Sequence, residues 1–171
     1  MQNYVTELRE AVEKAVPRLL ALSDEASTRA RAPGKWSPRE IVGHLIDSAS
    51  NNHQRFVRAQ FQDDLVFQGY EQEDWVRVQG YVDAPWKELV AFWQSYNLQL
   101  ARVMAAVPLD VRHREHRKHN LHKIGWQVVP EEKPATLDYL MSDYVAHLKN
   151  HLRQILGNDW EHTASSEPLN D

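Results

Sequence analysis

The sequence predicts an all-α chain folded as a bundle of four main helices, on three observations. Four segments carry apolar residues at three-and-four spacing, and cap and stop signals bracket most of them. Neither an internal repeat nor a period-two strand pattern is visible. At 171 residues, 42% hydrophobic and 26% charged, the chain has the size and composition of one globular domain.

The first helix lies in TELREAVEKAVPRLLALSDEA, where Val5, Leu8, Val12, Val16, Leu19 and Leu22 form one apolar stripe and Pro17 should kink or break it. Pro33 and Gly34 then make a connector. Ser37-Pro38-Arg39-Glu40 is a capping box with proline at the first helical position, so a second helix starts there and runs to about Arg58. Its stripe is Ile41, Leu45, Ala49 and Phe56. Residues 61–84 have no sustained period and several aromatics, and read as a long connection packed over another part of the molecule. Pro85 opens a third helix with Leu89, Phe92, Trp93, Tyr96, Leu100, Val103 and Val107 as its apolar face, closed by Pro108. After an irregular basic stretch, Thr136 caps a fourth helix that Gly157 ends. The polar remainder, with Pro168, should fray, so the expected division is a domain over 1–157 and a tail over 158–171.

Composition narrows the chemistry. Cysteine is absent, which excludes disulfides, thiolate ligands and a cysteine nucleophile, and leaves His, Asp and Glu as the only strong metal ligands. A net charge of −4 argues against a nucleic-acid binder, and no apolar run is long enough to span a membrane. The first twenty residues lack a basic head and a small-residue cleavage site, and the expected compartment is the cytoplasm.

Of nine histidines, four fall at every third position in HREHRKHNLH, residues 113–122. On a helix that spacing falls back by about 60° per step, so the four rings would spread apart rather than converge. Arg112, Arg114, Arg117, Lys118 and Lys123 surround them with positive charge that opposes a cation. The segment reads as a solvated basic connection or a substrate-facing flap, its charge following pH and facing an acidic cosubstrate near the pocket mouth. His147 and His151, by contrast, lie four apart on the fourth helix beside Leu140, Tyr144 and Ile155, the spacing that offers two imidazoles to one ion. A candidate third ligand is His44, on a stripe with Ile41, Ser48, Asn51 and Arg55. Taken singly, the pair also reads as ordinary surface and His44 as a satisfied core residue. Together they make a three-histidine site across two facing helices, with coordination positions left open. His53 points away from His44 and reads as exposed, and His162 belongs to the tail.

WSPREIVGHLID at 36–47, the N-x-x-R at 52–55, GYEQEDWV in the middle stretch and TLDYLMSDYVAHLKNHLRQI at 136–155 together resemble the DinB-like superfamily. More narrowly they resemble its YfiT-like metal-dependent hydrolases and bacillithiol transferases. The resemblance covers about Val5 to Gly157. It implies a four-helix bundle with a long crossover connection, a nickel or zinc ion held by His44, His147 and His151, and a homodimer.

Such a site would either activate a bound water or bind and deprotonate a substrate thiol, and the resemblance favours thiol transfer to an electrophile. A metal-dependent hydrolase and a dimeric binding module with a structural metal are the alternatives. Asn51 and Arg55 would orient a substrate carboxylate or stabilise developing negative charge. Asp47 and Asp143 would accept an imidazole N–H, and Tyr70 and Trp75 would wall the pocket. Each also has a plainer reading: Arg55 as the partner of an acid, Asp47 and Asp143 as surface acids, the aromatics as loop packing.

Overall fold

The computed structural model describes residues 3–161. It comprises α1 (Asn3–Leu20), α2 (Asp24–Thr28), α3 (Pro38–Arg58), α4 (Gln72–Gln79), α5 (Trp86–Ala106), α6 (Leu109–His113), α7 (Leu121–Ile124) and α8 (Leu137–Leu156). Two 3-10 turns lie at Tyr81–Asp83 and Asn158–Glu161. The four long helices are the four expected, and the chain is all-α, with only two isolated β-bridges among the described residues.

α1 packs against α5 and α8, and α3 packs against the same two, so α1 and α3 are diagonal partners in the bundle. The connections from α1 to α3 and from α5 to α8 therefore both cross the bundle end. The shared core includes Leu8, Leu19, Leu45, Phe56, Trp93, Leu100, Met104 and Leu148, all fully buried. Each such side chain stabilises the fold by about 1.5–3 kcal/mol relative to an exposed one.

Local signals explain the two helices that matter most. At α3 the Ser37 hydroxyl accepts from the Glu40 N–H while the Glu40 carboxylate accepts from the Ser37 N–H at 2.7 Å, so the capping box closes as the sequence implies. At α8 the Thr136 hydroxyl accepts from the Tyr139 N–H at 3.1 Å, and Gly157 ends the helix with φ 88°. Pro17 neither breaks nor ends α1, which continues to Leu20. The indole N–H of Trp86 donates to the Leu19 carbonyl at 2.9 Å, satisfying one of the acceptors left at that terminus.

Elsewhere the expectations need correcting. Residues 61–84 are not wholly irregular: α4 and a 3-10 turn form there, separated by Gly80 at φ 63°. α4 buries only Val76, which is why it shows no stripe. Phe92, assigned to the apolar face of α5, is more than half exposed and stacks on Tyr96 at 5.7 Å. The packed domain does not stop at Gly157, because Trp160 in the following 3-10 turn is completely buried. Residues 162–171, with His162, lie outside the described residues.

The basic run is the largest departure. His116 and His119 are buried, not solvated. His116 Nδ1 donates to the Asp63 carbonyl at 3.1 Å, and its backbone pairs with Ala135 in both directions. His119 Nε2 donates to the Lys133 carbonyl at 2.7 Å, while its Nδ1 accepts the Leu121 N–H at 3.2 Å. The His116 ring fastens the two long connections to each other, as does Asn120, whose amide exchanges hydrogen bonds with the Phe67 backbone at 2.7 and 3.1 Å, while the His119 ring ties the second connection to itself. His53, expected in solvent, is half-buried against Tyr96.

Candidate metal centre

His44 enters the bundle less than two turns after the capping box that sets α3, and His147 and His151 come from one face of α8. The structure brings all three together, with one ligand nitrogen from each lying within 4.8 Å of the others. His44 Nε2 and His147 Nε2 are 3.2 Å apart, and the ring centroids are separated by 4.5 to 5.2 Å. A tetrahedral ion with metal–nitrogen bonds of about 2.0–2.1 Å sets its ligand nitrogens about 3.3 Å apart, so the donor set fits a divalent metal. His151 Nδ1 donates to the Gln154 side-chain oxygen at 3.1 Å, which leaves its Nε2 with a free lone pair.

Electrostatics prepare the same groups. Burial, with a further push from His151, takes His44 down to about 3. Burial, His151 and His44 hold His147 well below the usual imidazole range, and burial lowers His151 as well. The rings are therefore neutral at physiological pH, the form that binds a metal. Trp36, immediately before the Ser37 cap, lies 4.9 Å from the His44 ring and 6.5 Å from His151, closing one side against solvent.

On the other side a cavity of about 310 Å³ reaches His147 and His151. Ser48, Asn52 and Arg55 border it from α3, Tyr70 and Lys123 from the two long connections, and Tyr144 from α8. Trp126 stands beside His147 at 6.3 Å. A second cavity of about 650 Å³ adjoins the first, and Arg55, Gly69 and Tyr70 belong to both.

Several expected roles change. Asn51 lines the second cavity only, its amide donating to the Asp47 carbonyl at 2.9 Å; its neighbour Asn52 faces the histidines' cavity. Arg55 is buried where expected but pairs with no acid among the described residues; its guanidinium donates to the Gln68 carbonyl at 3.1 Å and to the Asn52 side-chain oxygen at 3.4 Å. The Asp47 carboxylate does not meet an imidazole: Tyr81 donates to it at 2.7 Å and Gln79 donates as well, while its second oxygen is buried without a partner. Asp143 also turns from the histidines, accepting the backbone N–H of Trp126 through Oδ2 and of Gln127 through Oδ1, both at 2.8 Å. Tyr70 walls both cavities, while Trp75 walls only the second and packs on Tyr70 at 5.0 Å. None of Arg114, Arg117 and Lys118 lines either cavity, and Lys118 pairs with Asp64 at 2.9 Å.

Trp36, Asn52, Lys123 and Trp126 were not foreseen at the site. Two of them carried a signal: Trp36 directly precedes a capping box and so is fixed in direction relative to the helix, and Asn52 opens the N-x-x-R of residues 52–55.

Fold and site together define a class: a helical bundle in which two adjacent helices present three inward imidazoles beside an open cavity. Within that class the chain belongs to the DinB superfamily, whose sequence profile matches residues 7–155. It is similar to OB0413 of Oceanobacillus iheyensis, described as a candidate metal-dependent hydrolase, with 24% identity over 151 residues, 87% of this chain and 79% of that protein. It also shares its fold with YfiT from Bacillus subtilis, described as a probable metal-dependent hydrolase with an unusual four-helix bundle topology. There the TM-score is 0.73 at 18% identity, covering 91% of this chain and 86% of that one. No helix among the described residues is long and apolar enough to cross a membrane.

Proposed function

We propose that this chain is a metal-dependent enzyme that transfers a low-molecular-weight thiol to an electrophile, with His44, His147 and His151 as the metal ligands. A divalent ion in that position, nickel or zinc by family resemblance, supplies Lewis acidity sufficient to hold a thiol as thiolate. The neutral imidazoles hold the ion, and Gln154 fixes the tautomer of His151. Trp36 excludes water behind His44, and Asn52 and Tyr70 offer polar contacts on the open side.

The observation that carries the choice of thiol over water is the state of Asp143. It is the only carboxylate among the described residues lining the histidines' cavity, and both its oxygens are engaged by backbone N–H groups. Hydrolysis gains from a free general base beside the attacking water, whereas a thiol is far more acidic than water and needs none. The hydrolase alternative is favoured by the descriptions of OB0413 and YfiT.

The test assays metal-loaded protein with a thiol and a chlorinated or epoxide electrophile, beside ester and amide substrates without thiol. Metal-dependent consumption of both thiol and electrophile is expected. Ester or amide turnover without conjugation would replace thiol transfer with hydrolysis. The reading extends to a homodimer in the cytoplasm.

A further inference from the structure

Arg55 is 94% removed from solvent, yet no carboxylate among the described residues meets it. A guanidinium has five N–H donors, and among the described residues its hydrogen bonds are two, both to neutral oxygens, with the Tyr70 hydroxyl group as its electrostatic neighbour. Charges buried in proteins are normally paired, so an arginine without a counter-charge at a cavity wall marks the place of an anion that arrives with a ligand. The position is shared: Arg55 borders both the cavity that reaches His147 and His151 and the larger one beside it. On the α3 wheel Ser48 and Asn52 lie to one side of it and Asn51, Gln54 and Arg58 to the other, about 40–100° away. Arg55 is the charged member of the shared lining, beside Gly69 and Tyr70.

Distance adds a constraint. The guanidinium is drawn back to Asn52, and Asn52 lies roughly two turns, about 12 Å of helix axis, beyond His44. A group bound on Arg55 is thus on the order of 10 Å from the histidine cluster. A thiol whose carboxylate sits two or three bonds from sulfur does not reach both.

We propose that the substrate is an elongated anion: its reacting end lies at the histidines, a carboxylate or phosphate six or more bonds away seats on Arg55, and the remainder occupies the second cavity against Tyr70 and Trp75. The proposal rests on the metal-enzyme reading above and adds the substrate class. The second cavity suits a polar, uncharged remainder, since Asn51, Gln54 and Gln62 supply amides on its wall and Trp75 a flat apolar one, while Glu71 and Asp74 on the same wall leave the anionic end to Arg55.

The experiment uses cobalt-loaded full-length chain and follows thiolate-to-cobalt absorption. Three probes are titrated: 6-mercaptohexanoate, the equally long but uncharged 6-mercaptohexanol, and the short mercaptoacetate. The long acid is expected to bind at least tenfold tighter than the alcohol. Arg55→Gln should reduce that preference below twofold, Arg55→Lys should restore part of it, and the alcohol should bind all three proteins equally, reporting an intact fold and metal site. Mercaptoacetate should be indifferent to Arg55. Equal binding of long acid and alcohol to wild type, or a preference that survives Arg55→Gln, overturns the anion seat; a loss for mercaptoacetate as large as for the long acid overturns the span. Silence from all three thiols refutes the thiol reading alone. The anion seat is then read by saturation-transfer NMR with hexanoate, where a signal lost in Arg55→Gln supports it and no signal in wild type overturns it.

Discussion

The Nε2 atoms of His44 and His147 lie 3.2 Å apart although the residues are 103 positions apart in sequence. That approach places the two lone pairs at the separation of adjacent ligands on one ion, and it depends on α3 and α8 being neighbours across a diagonal chain path.

Removal of either ligand should abolish metal binding without unfolding the chain. His44→Ala and His147→Ala are expected to carry less than a tenth of the wild-type metal by elemental analysis, with helical circular dichroism retained. Wild-type metal content in both variants would remove the centre from consideration.

Metal-free protein should lose stability on acidification. The histidines ionise near 6.5 in the unfolded chain, while His44 is held down to about 3 when folded, mainly by burial. Between those values the unfolded chain takes up more protons, so stability is full above about pH 6.5 and falls as pH drops toward 3. Urea unfolding across pH should show this slope, and His44→Gln should flatten it.

Asp143→Asn should loosen the wall of the cavity and leave the metal in place. The amide keeps one acceptor and sets an N–H against an N–H at Trp126 or Gln127, at a cost of about 1–3 kcal/mol. Urea unfolding measures the cost, and altered tryptophan fluorescence with unchanged metal content locates it at the Trp126 loop.

A methyl group at Gly43 would meet the Tyr81 ring at 2.1 Å. Gly43→Ala should destabilise the protein by about 1–3 kcal/mol by overpacking. Combined with Tyr81→Ala, which removes the ring, its cost should be less than additive in a double-mutant cycle.

The basic run should prove structural. His119→Ala leaves the Lys133 carbonyl and the Leu121 N–H unpaired, a loss of about 1–3 kcal/mol with no change in metal content. His113→Ala, at an exposed ring, should change little.

What the sequence made legible follows from how local each cause is. The start of α3 is written in Ser37, Pro38 and Glu40, and the extent of α8 in Thr136 and Gly157, because each signal acts within one turn. The His147–His151 pair is equally local, whereas joining it to His44 assumed that the second and fourth helices face each other, and the family resemblance strengthened that assumption. Where a partner comes from a distant segment, pattern failed. His116 and His119 look solvated among arginines and lysines, yet the carbonyl of Asp63 reaches the first from the other long connection and that of Lys133 reaches the second where their own connection folds back. Asn51 shares the His44 stripe on an ideal wheel, but α3 is buried around most of its girth near the site. Asn52, rotated about 100° from it, is the one that faces the cavity of the histidines. Asp47 and Asp143 sat where imidazole partners belong, and both were taken by groups in segments without periodicity.

The diagonal arrangement of α1 and α3 has a bearing on the cell. The seam between α3 and α8 joins parts of the chain made far apart in time, and an ion bound there favours only the folded form, by an amount that grows with its free concentration. Metal supply would then add to the stability of the folded chain. Under starvation for the ion, the protein would decline in abundance through proteolysis, alongside the loss of its catalysis.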